Sequence, residues 1–152
     1  MGTCETVAAL AAGLEPIDAA FDPVTEQDLL MVEALLGVKL PELFREIQKA
    51  YGRCRFSGEA LIPVNGAEPL SVATILGCKG LSGNLLIEYQ AQPDLQTQGW
   101  VPIADDKLNN RYVWDSANGQ VLFMDDVTRK PPLWVAPDFE AFLNQIWVGP
   151  NH

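Results

Sequence analysis

The chain of 152 residues has few of the side chains that acid–base and nucleophilic catalysis use, with one histidine and three cysteines. The histidine, His152, is the last residue, where ordering is least assured, so it cannot complete a Ser-His or Cys-His couple on a folded body. Cys4, Cys54 and Cys78 lack the close spacing of zinc sites and redox motifs. We expect reduced thiols, no metal, no cofactor and no enzymatic activity.

Long apolar runs and clusters of positive charge are also missing. No stretch approaches the ~18 apolar residues that cross a bilayer. The apolar run Val7–Leu14 follows Glu5, where a secretory signal would carry Lys or Arg, so we expect a short surface helix and a cytoplasmic protein. The net charge of −10 repels phosphate backbones and anionic lipid and attracts basic macromolecules. Neither nucleic acid nor a membrane is therefore an expected partner.

What the chain does contain is enough apolar material for a folded core. Hydrophobic residues make up 48% of the sequence and charged residues 20%, a balance that excludes extended disorder. A chain of this length buries about two thirds of its unfolded surface as one unit. We expect a single domain over residues 1–152, with residues 1–22 as a peripheral helix or arm.

The first clear helix is predicted over Glu26–Leu36. Thr25 and Asp28 stand three residues apart as a carboxylate variant of the capping box, and Gly37 can adopt the left-handed conformation that ends a helix. The apolar stripe expected to be buried comprises Leu29, Val32, Leu35 and Leu36.

A second helix is predicted to follow at once. Pro41 suits the first helical turn, and Gly52 is placed to end the helix. The side chains expected to be buried are Leu43, Phe44, Ile47 and Tyr51. The side chains expected to face solvent are Arg45, Glu46 and Lys49.

Glycine and proline break the middle of the chain into short pieces. Ala60–Val64 favours a strand, and Leu70–Leu76 favours either a short strand or one or two helical turns. Asn84–Gln90 favours a helix. Pro93–Gln98 has no clear period, and we interpret it as a polar connection.

The strongest β pattern lies in the last third of the chain. Trp100–Ala104, Arg111–Asp115 and Val121–Met124 are aromatic and β-branched runs separated by turn residues, and they predict an antiparallel meander. Leu133–Val135 is interpreted as an edge strand, and Asp138–Ile146 as an amphipathic helix. The order of elements predicts an α+β fold: N-terminal helices, a central mostly antiparallel twisted sheet, and a C-terminal helix packed on it.

Four local patterns in this order resemble the SUKH superfamily, and together they span roughly residues 25–147. The first is a helix followed by Leu-Gly, Leu-Pro and a helix entry, the second a strand leading into an acidic turn, the third a hairpin, and the fourth a strand leading into a helix. They stand at Glu33–Phe44, Trp100–Asp106, Tyr112–Val121 and Val135–Leu143.

This resemblance implies a SUKH-like fold and a protein that acts by binding. Members include bacterial immunity proteins, each of which neutralises a cognate toxin secreted by a contact-dependent or polymorphic toxin system, and yeast relatives that regulate cell-wall glucan synthesis through protein contacts. We therefore expect a non-enzymatic immunity protein that covers the active cleft of its toxin in the cytoplasm. The alternative is a protein–protein adaptor or a small-ligand sensor on the same fold.

Aspartates at the ends of the meander strands are candidates for partner binding. In an up-and-down meander, Asp105, Asp106, Asp125 and Asp126 fall at the same end. Together they could mimic phosphate in the positive cleft of a basic toxin such as a nuclease. The first alternative is that they are solvated turn residues. The second is a divalent metal site, for which the spacing of a known calcium loop is missing.

Two tryptophans complete the set of partner-binding candidates. Strand alternation favours partial exposure of Trp114 and Trp134, and large amphipathic rings are common at the centres of interfaces. The alternative is that both belong to the core, as most aromatic side chains do. The sequence leaves the identity of the toxin and the oligomeric state open.

Overall fold

A computed structural model describes residues 14–17, 24–56, 58–64, 68–79, 83–106, 108, 110–125 and 131–148. Within these ranges the chain forms five helices and ten strands. The helices are α1 (Glu26–Leu36), α2 (Glu42–Tyr51), α3 (Leu85–Ala91), α4 (Pro93–Gln98) and α5 (Phe139–Gln145). The strands are β1 (Leu14–Pro16), β2 (Cys54–Phe56), β3 (Ala60–Ile62), β4 (Leu70–Ser71), β5 (Thr74–Ile75), β6 (Trp100–Asp105), β7 (Arg111–Asp115), β8 (Val121–Met124), β9 (Leu133–Ala136) and β10 (Trp147–Val148).

Two antiparallel sheets organise these elements. The larger sheet has seven strands in the order β1-β2-β5-β6-β7-β8-β9, and the smaller has three in the order β10-β3-β4. The prediction of an α+β fold around a mostly antiparallel sheet is confirmed. The helix predicted over Val7–Leu14 lies outside the described residues except for Leu14, which begins β1. None of the described helices is long and apolar enough to cross a membrane.

The predicted meander is present as β6, β7 and β8, and the predicted edge strand is present as β9, which pairs with β8 at the edge of the sheet. A register shift between Pro102 and Ala104 places a bulge in β6. Gly119 has a φ of 83° in the turn between β7 and β8, a conformation in which a glycine lacks the steric penalty of a Cβ atom. β7 therefore lies inside the sheet, with a partner on each side.

Helix α1 begins and ends where its caps predict. The N–H of Asp28 donates to Oγ1 of Thr25 over 3.1 Å, and the N–H of Thr25 donates to Oδ2 of Asp28 over 2.9 Å. Gly37 has a φ of 79°, and its N–H donates to the carbonyl of Glu33 over 2.9 Å. Because these signals lie within a few residues of each helix end, the sequence alone was enough to place both ends.

Two side chains of the helical pair lie opposite to expectation. Leu35 is 57% exposed, because α1 turns Glu33 and not Leu35 towards the interior beside Leu29 and Val32. Arg45, expected in solvent, is only 6% exposed, because carboxylates from α1 surround its guanidinium.

The middle of the chain also departs from the prediction at one point. Pro93–Gln98 is a helix, α4, because Leu95 is buried and holds this short segment against the fold. The helix expected over Asn84–Gln90 is present as α3, and Oδ1 of Asn84 caps it by accepting from two backbone N–H groups at 2.9 and 3.2 Å. Leu70–Leu76 contains two short strands, β4 and β5.

The core between the helices and the larger sheet contains a chain of aromatic rings. Phe44 of α2 contacts Phe139 of α5 edge-on at 5.4 Å between ring centroids, and Tyr112 of β7 lies 5.1 Å from Phe142 of α5. The Tyr112 hydroxyl donates to the carbonyl of Ser71 over 2.7 Å, which satisfies the one polar atom of this ring. Helix α5 is thereby packed on the face of the sheet that carries Tyr112.

Candidate functional site

The acidic end of the meander is built by strand register. Asp105 of β6 pairs with Arg111 of β7, and Arg111 pairs with Met124 of β8, so Asp125 follows at the same end of the sheet. Asp126 lies outside the described residues. Asp115 pairs with Trp100 at the other end of the sheet. A cation, Arg111, therefore stands between the two carboxylates that the sequence pattern singled out.

Asp105 is half-buried and is partly used within the fold. Its Oδ1 accepts from the N–H of Thr74 over 3.0 Å and from the Thr74 hydroxyl over 2.6 Å. Burial raises the pKa of this carboxyl above its usual value, and the hydrogen bonds from Thr74 and the charge of Arg111 oppose that rise. One of its oxygens thus ties β6 to the β5 strand.

Asp106 has a structural role that none of the three sequence interpretations anticipated. It is 9% exposed, and its Oδ1 accepts from the N–H groups of Leu108 and Asn110 over 2.9 and 2.8 Å. Its Oδ2 accepts from the Asn110 amide over 3.1 Å. Both oxygens are therefore turned into the loop that joins β6 to β7, and Asp106 is not a solvated turn residue.

Arg111 is held by a glutamate from a different layer of the fold. Its Nε lies 2.5 Å from Oε1 of Glu88, and its Nη2 lies 3.2 Å from Oε2 of the same carboxylate. The pair is two-pronged and mostly buried, at 15% and 18% side-chain exposure, and it fastens α3 to the sheet. Sequence reasoning missed it because no local pattern connects residues 23 positions apart.

The two candidate tryptophans lie on opposite faces of the sheet. Trp134 is 47% exposed on β9, opposite Leu122 of β8. Trp114 is 9% exposed, so the expectation that it is partly exposed is wrong. The reason is that Trp114 shares a face with Tyr112, and that face is covered by α5. The contribution of either ring to binding stays a prediction.

Register places Trp134 and Asp105 on the same face of the sheet. Trp134 pairs with Leu122 and Leu122 with Val113, while Val113 lies two residues from Arg111, the partner of Asp105. We call this the outer meander surface. It comprises Asp105, Arg111, Leu122, Met124 and Trp134, with Asp125 at its end; Val113 lies on the same face but is fully buried and is not part of this surface.

Metal-ligating clusters and reactive thiols are the groups through which this fold could do chemistry, and the described residues allow both to be checked. Among the described residues, no group of three or more His, Cys, Asp or Glu side chains could hold a metal ion. Burial raises the pKa values of Cys54 and Cys78 to about 12, so at neutral pH both thiols are protonated and weak nucleophiles. A half-exposed aromatic ring on the face of a sheet, as Trp134 is, is typical of a protein-binding patch.

A depression lies between α1 and α2, and its charged side chains are paired with one another inside the fold. It is an open pocket of about 570 Å³ whose lining includes Glu26, Glu33 and Arg45. Arg45 contacts Glu26 and lies 3.3 Å from Oε2 of Glu33, which also accepts from the N–H of Leu40 over 2.7 Å. Hydrogen bonds from Arg45 and then from Lys49 lower the pKa of Glu26 to about 2. We interpret this cluster as structural.

Helix α1 carries the exposed apolar side chains that sequence reasoning missed. Leu30, Met31 and Leu35 are 55%, 62% and 57% exposed, and Ala34 beside them is also exposed. Their spacing forms a second apolar stripe on the helix, and counting both stripes of Glu26–Leu36 could have found it.

Comparison with known proteins identifies the family. The sequence matches the SMI1 / KNR4 family (SUKH-1) over residues 23–145, which runs from just before α1 to the end of α5. No curated protein matches the chain. Because the match covers most of the chain, and because the helical pair, the meander and the closing helix lie inside it, this chain belongs to the SMI1 / KNR4 family (SUKH-1).

Proposed function

We propose that this chain is an immunity protein: it binds a cognate toxin in the cytoplasm of the producing cell and covers the toxin's active cleft without any chemistry of its own. The outer meander surface makes the contact. The observation that carries this proposal is the half-exposed ring of Trp134 on the same face as Asp105. Membership in the SUKH-1 family, whose members commonly serve as immunity proteins, supports the same function.

Trp134 is the expected anchor of the interface. A large ring that is half-exposed on an edge strand can be fully buried by a partner, and rings in that position supply a large share of binding energy. Leu122 and Met124, both partly buried beside it, extend the apolar contact along β8. The ring therefore accounts for affinity.

The acidic residues are expected to act mainly on the rate of association. The chain carries a net charge of −10, and Asp105 and Asp125 stand at one end of the outer meander surface. Asp126 is included from its sequence position alone. A negative field steers a positively charged cleft, such as that of a nuclease, towards this face. Asp106 and Trp114 support the surface from inside the fold, since their side chains are buried.

Co-expression with the toxin encoded beside this protein in its genome tests the proposal. The wild type should restore growth and bind the purified toxin. Trp134→Ala should weaken binding by at least about 30-fold, the cost of losing a hot-spot residue. The matched control is Trp147→Ala, because Trp147 is 59% exposed on the smaller sheet and should leave binding unchanged.

Charge reversal distinguishes the effect of the acidic residues on the association rate from the effect of Trp134 on affinity. Asp125→Lys combined with Asp126→Lys should slow association and reduce its dependence on salt, while the dissociation rate changes less. An unchanged association rate would remove the acidic end from the interface. A toxin that neither binds the wild type nor is neutralised by it would refute the immunity function.

A further inference from the structure

Helix α1 is apolar on two opposite faces, and the fold buries only one of them. Leu29, Val32 and Leu36 are buried against the core. A second apolar stripe lies on the opposite side of α1. At 3.6 residues per turn, the positions of its residues place it about 180° around the helix from the buried face. We call it the α1 stripe, and it comprises Leu30, Met31, Ala34 and Leu35.

The α1 stripe is complementary to itself in an antiparallel arrangement. A two-fold axis midway along the stripe places Leu30 of one copy opposite Leu35 of the other. It also places the long Met31 side chain opposite the small Ala34, which leaves room for the helices to approach. Each large side chain therefore meets either another leucine across the axis or a small residue that accommodates it.

Charge supports the same arrangement at the ends of the stripe. The operation that pairs the leucines brings the exposed Lys39, just beyond the end of α1 in the second copy, towards the end of the stripe where Glu26 lies. Glu26 is half-exposed and already accepts from Arg45 and Lys49 of its own chain, so Lys39 would add a third cation near this carboxylate. The same operation also sets the N-terminal end of one α1 beside the C-terminal end of the other, which is favourable for the helix dipoles. Glu26, Leu30, Ala34 and Lys39 all line the open pocket, so one side of the stripe borders a depression and is not covered by the fold.

The size of the stripe sets the strength of the association. Three apolar side chains that are more than half exposed, with their neighbours, fall short of the ~800 Å² per partner of a standard interface. The net charge of −10 on each copy opposes association, although a Debye length of about 8 Å at physiological salt screens most of it. A weak, reversible dimer with a dissociation constant of roughly 10–100 µM is expected.

We propose that this chain forms a homodimer through antiparallel pairing of the α1 stripe with its counterpart on a second copy. The proposal does not depend on the immunity function, because the outer meander surface lies on β6 to β9 and the stripe on α1.

Sedimentation of the full chain over about 5 µM to 1 mM, at about 0.15 M ionic strength, tests the dimer. The wild type should shift from monomer to dimer within this range. Leu35→Glu should raise the dissociation constant at least tenfold. Its matched control, Leu108→Glu, changes a leucine that is 72% exposed on the β6–β7 loop and should leave the dimer unchanged. Both variants should fold as the wild type does, because neither leucine is buried.

Lys39→Glu tests the antiparallel register. It should weaken the dimer more than Arg55→Glu, an equal change of charge at an exposed position on β2. A wild type that stays monomeric at every concentration overturns the proposal and leaves the stripe to a different protein. A dimer that persists in Leu35→Glu overturns it as well, and equal effects of Lys39→Glu and Arg55→Glu overturn the antiparallel pairing.

Discussion

Replacing Arg45 with methionine tests whether the buried charges between α1 and α2 stabilise the fold as a connected set. The Arg45 guanidinium contacts Glu26, lies 3.3 Å from Oε2 of Glu33 and lies 3.8 Å from Oε2 of Glu42. Methionine keeps an apolar stem of similar length and removes the charge. Glu33, which is 9% exposed, then keeps its hydrogen bond from Leu40 but loses its cation.

The expected loss follows from the burial of the groups left behind. Removing one member of a buried ion pair costs about 3–5 kcal/mol, because the remaining charge stays in a poorly solvated place. Arg45 lines an open pocket, so water can relax around the remaining carboxylates, and we expect a loss of about 2–3 kcal/mol. Lys49→Met is the control: the side chains of Lys49 and Glu26 are 36% and 50% exposed, so water screens this pair and breaking it should cost much less than the loss of Arg45.

Equilibrium unfolding in urea at neutral pH measures both losses. The slope of free energy against urea should not change, since the surface exposed on unfolding is the same. Glu33→Gln combined with Arg45→Met should restore part of the stability, because a neutral amide does not need the cation. If Arg45→Met costs no more than Lys49→Met, the cluster acts as a set of independent surface pairs, and the buried charges do not stabilise the fold as a connected set.

The remaining predictions concern pH, a cap, a loop and the thiols. The pKa of Glu26 is lowered from 4.5 to about 2, so its contribution to the stability of the folded state is complete above pH 4.5 and is lost as the pH falls towards 2. Glu26→Gln should therefore flatten the pH dependence of the unfolding free energy in that window. Thr25→Ala removes the α1 cap and should lower the unfolding free energy by about 1 kcal/mol in urea. Asp106→Ala should cost about 2 kcal/mol in the same assay and hasten proteolysis of the β6–β7 loop, because its backbone donors lose their acceptor. In a Cys4→Ser background, Cys54 and Cys78 should react with a thiol reagent only as the protein unfolds; rapid labelling of the folded protein would contradict their burial.

The sequence was most informative where structure is decided locally. The bounds of α1 were predicted from Thr25 and Gly37, which lie next to the helix ends, and the meander from alternating strands and their turns. These signals involve residues a few positions apart, so no knowledge of the tertiary fold is needed to interpret them. Pro93–Gln98 shows the opposite case: its helical state depends on the burial of Leu95, which only the assembled fold provides.

The charged groups were harder to place, because their partners come from distant parts of the chain. Arg45 has the sequence pattern of a solvent-facing residue, yet Glu26 and Glu33 draw it inwards. Arg111 and Glu88 likewise meet only when α3 packs on the sheet. The periodicity of helices and strands predicts which apolar side chains face the core. It does not predict which carboxylate will form an ion pair with a given Arg or Lys in the folded protein.

The meander aspartates show what such contacts mean for recognition. A carboxylate mimics phosphate towards a partner only if its oxygens are available, and Asp106 uses both of its oxygens to close a loop. Asp105 gives one oxygen to Thr74 and stands beside Arg111, which offsets its charge. Counting aspartates at strand ends therefore overstates the negative charge presented there. An interface on this face would have to draw more of its binding energy from the ring of Trp134 than from mimicry of phosphate. The two kinds of variant should therefore change different rate constants: replacing Trp134 should raise the dissociation rate, and reversing the acidic charges should lower the association rate.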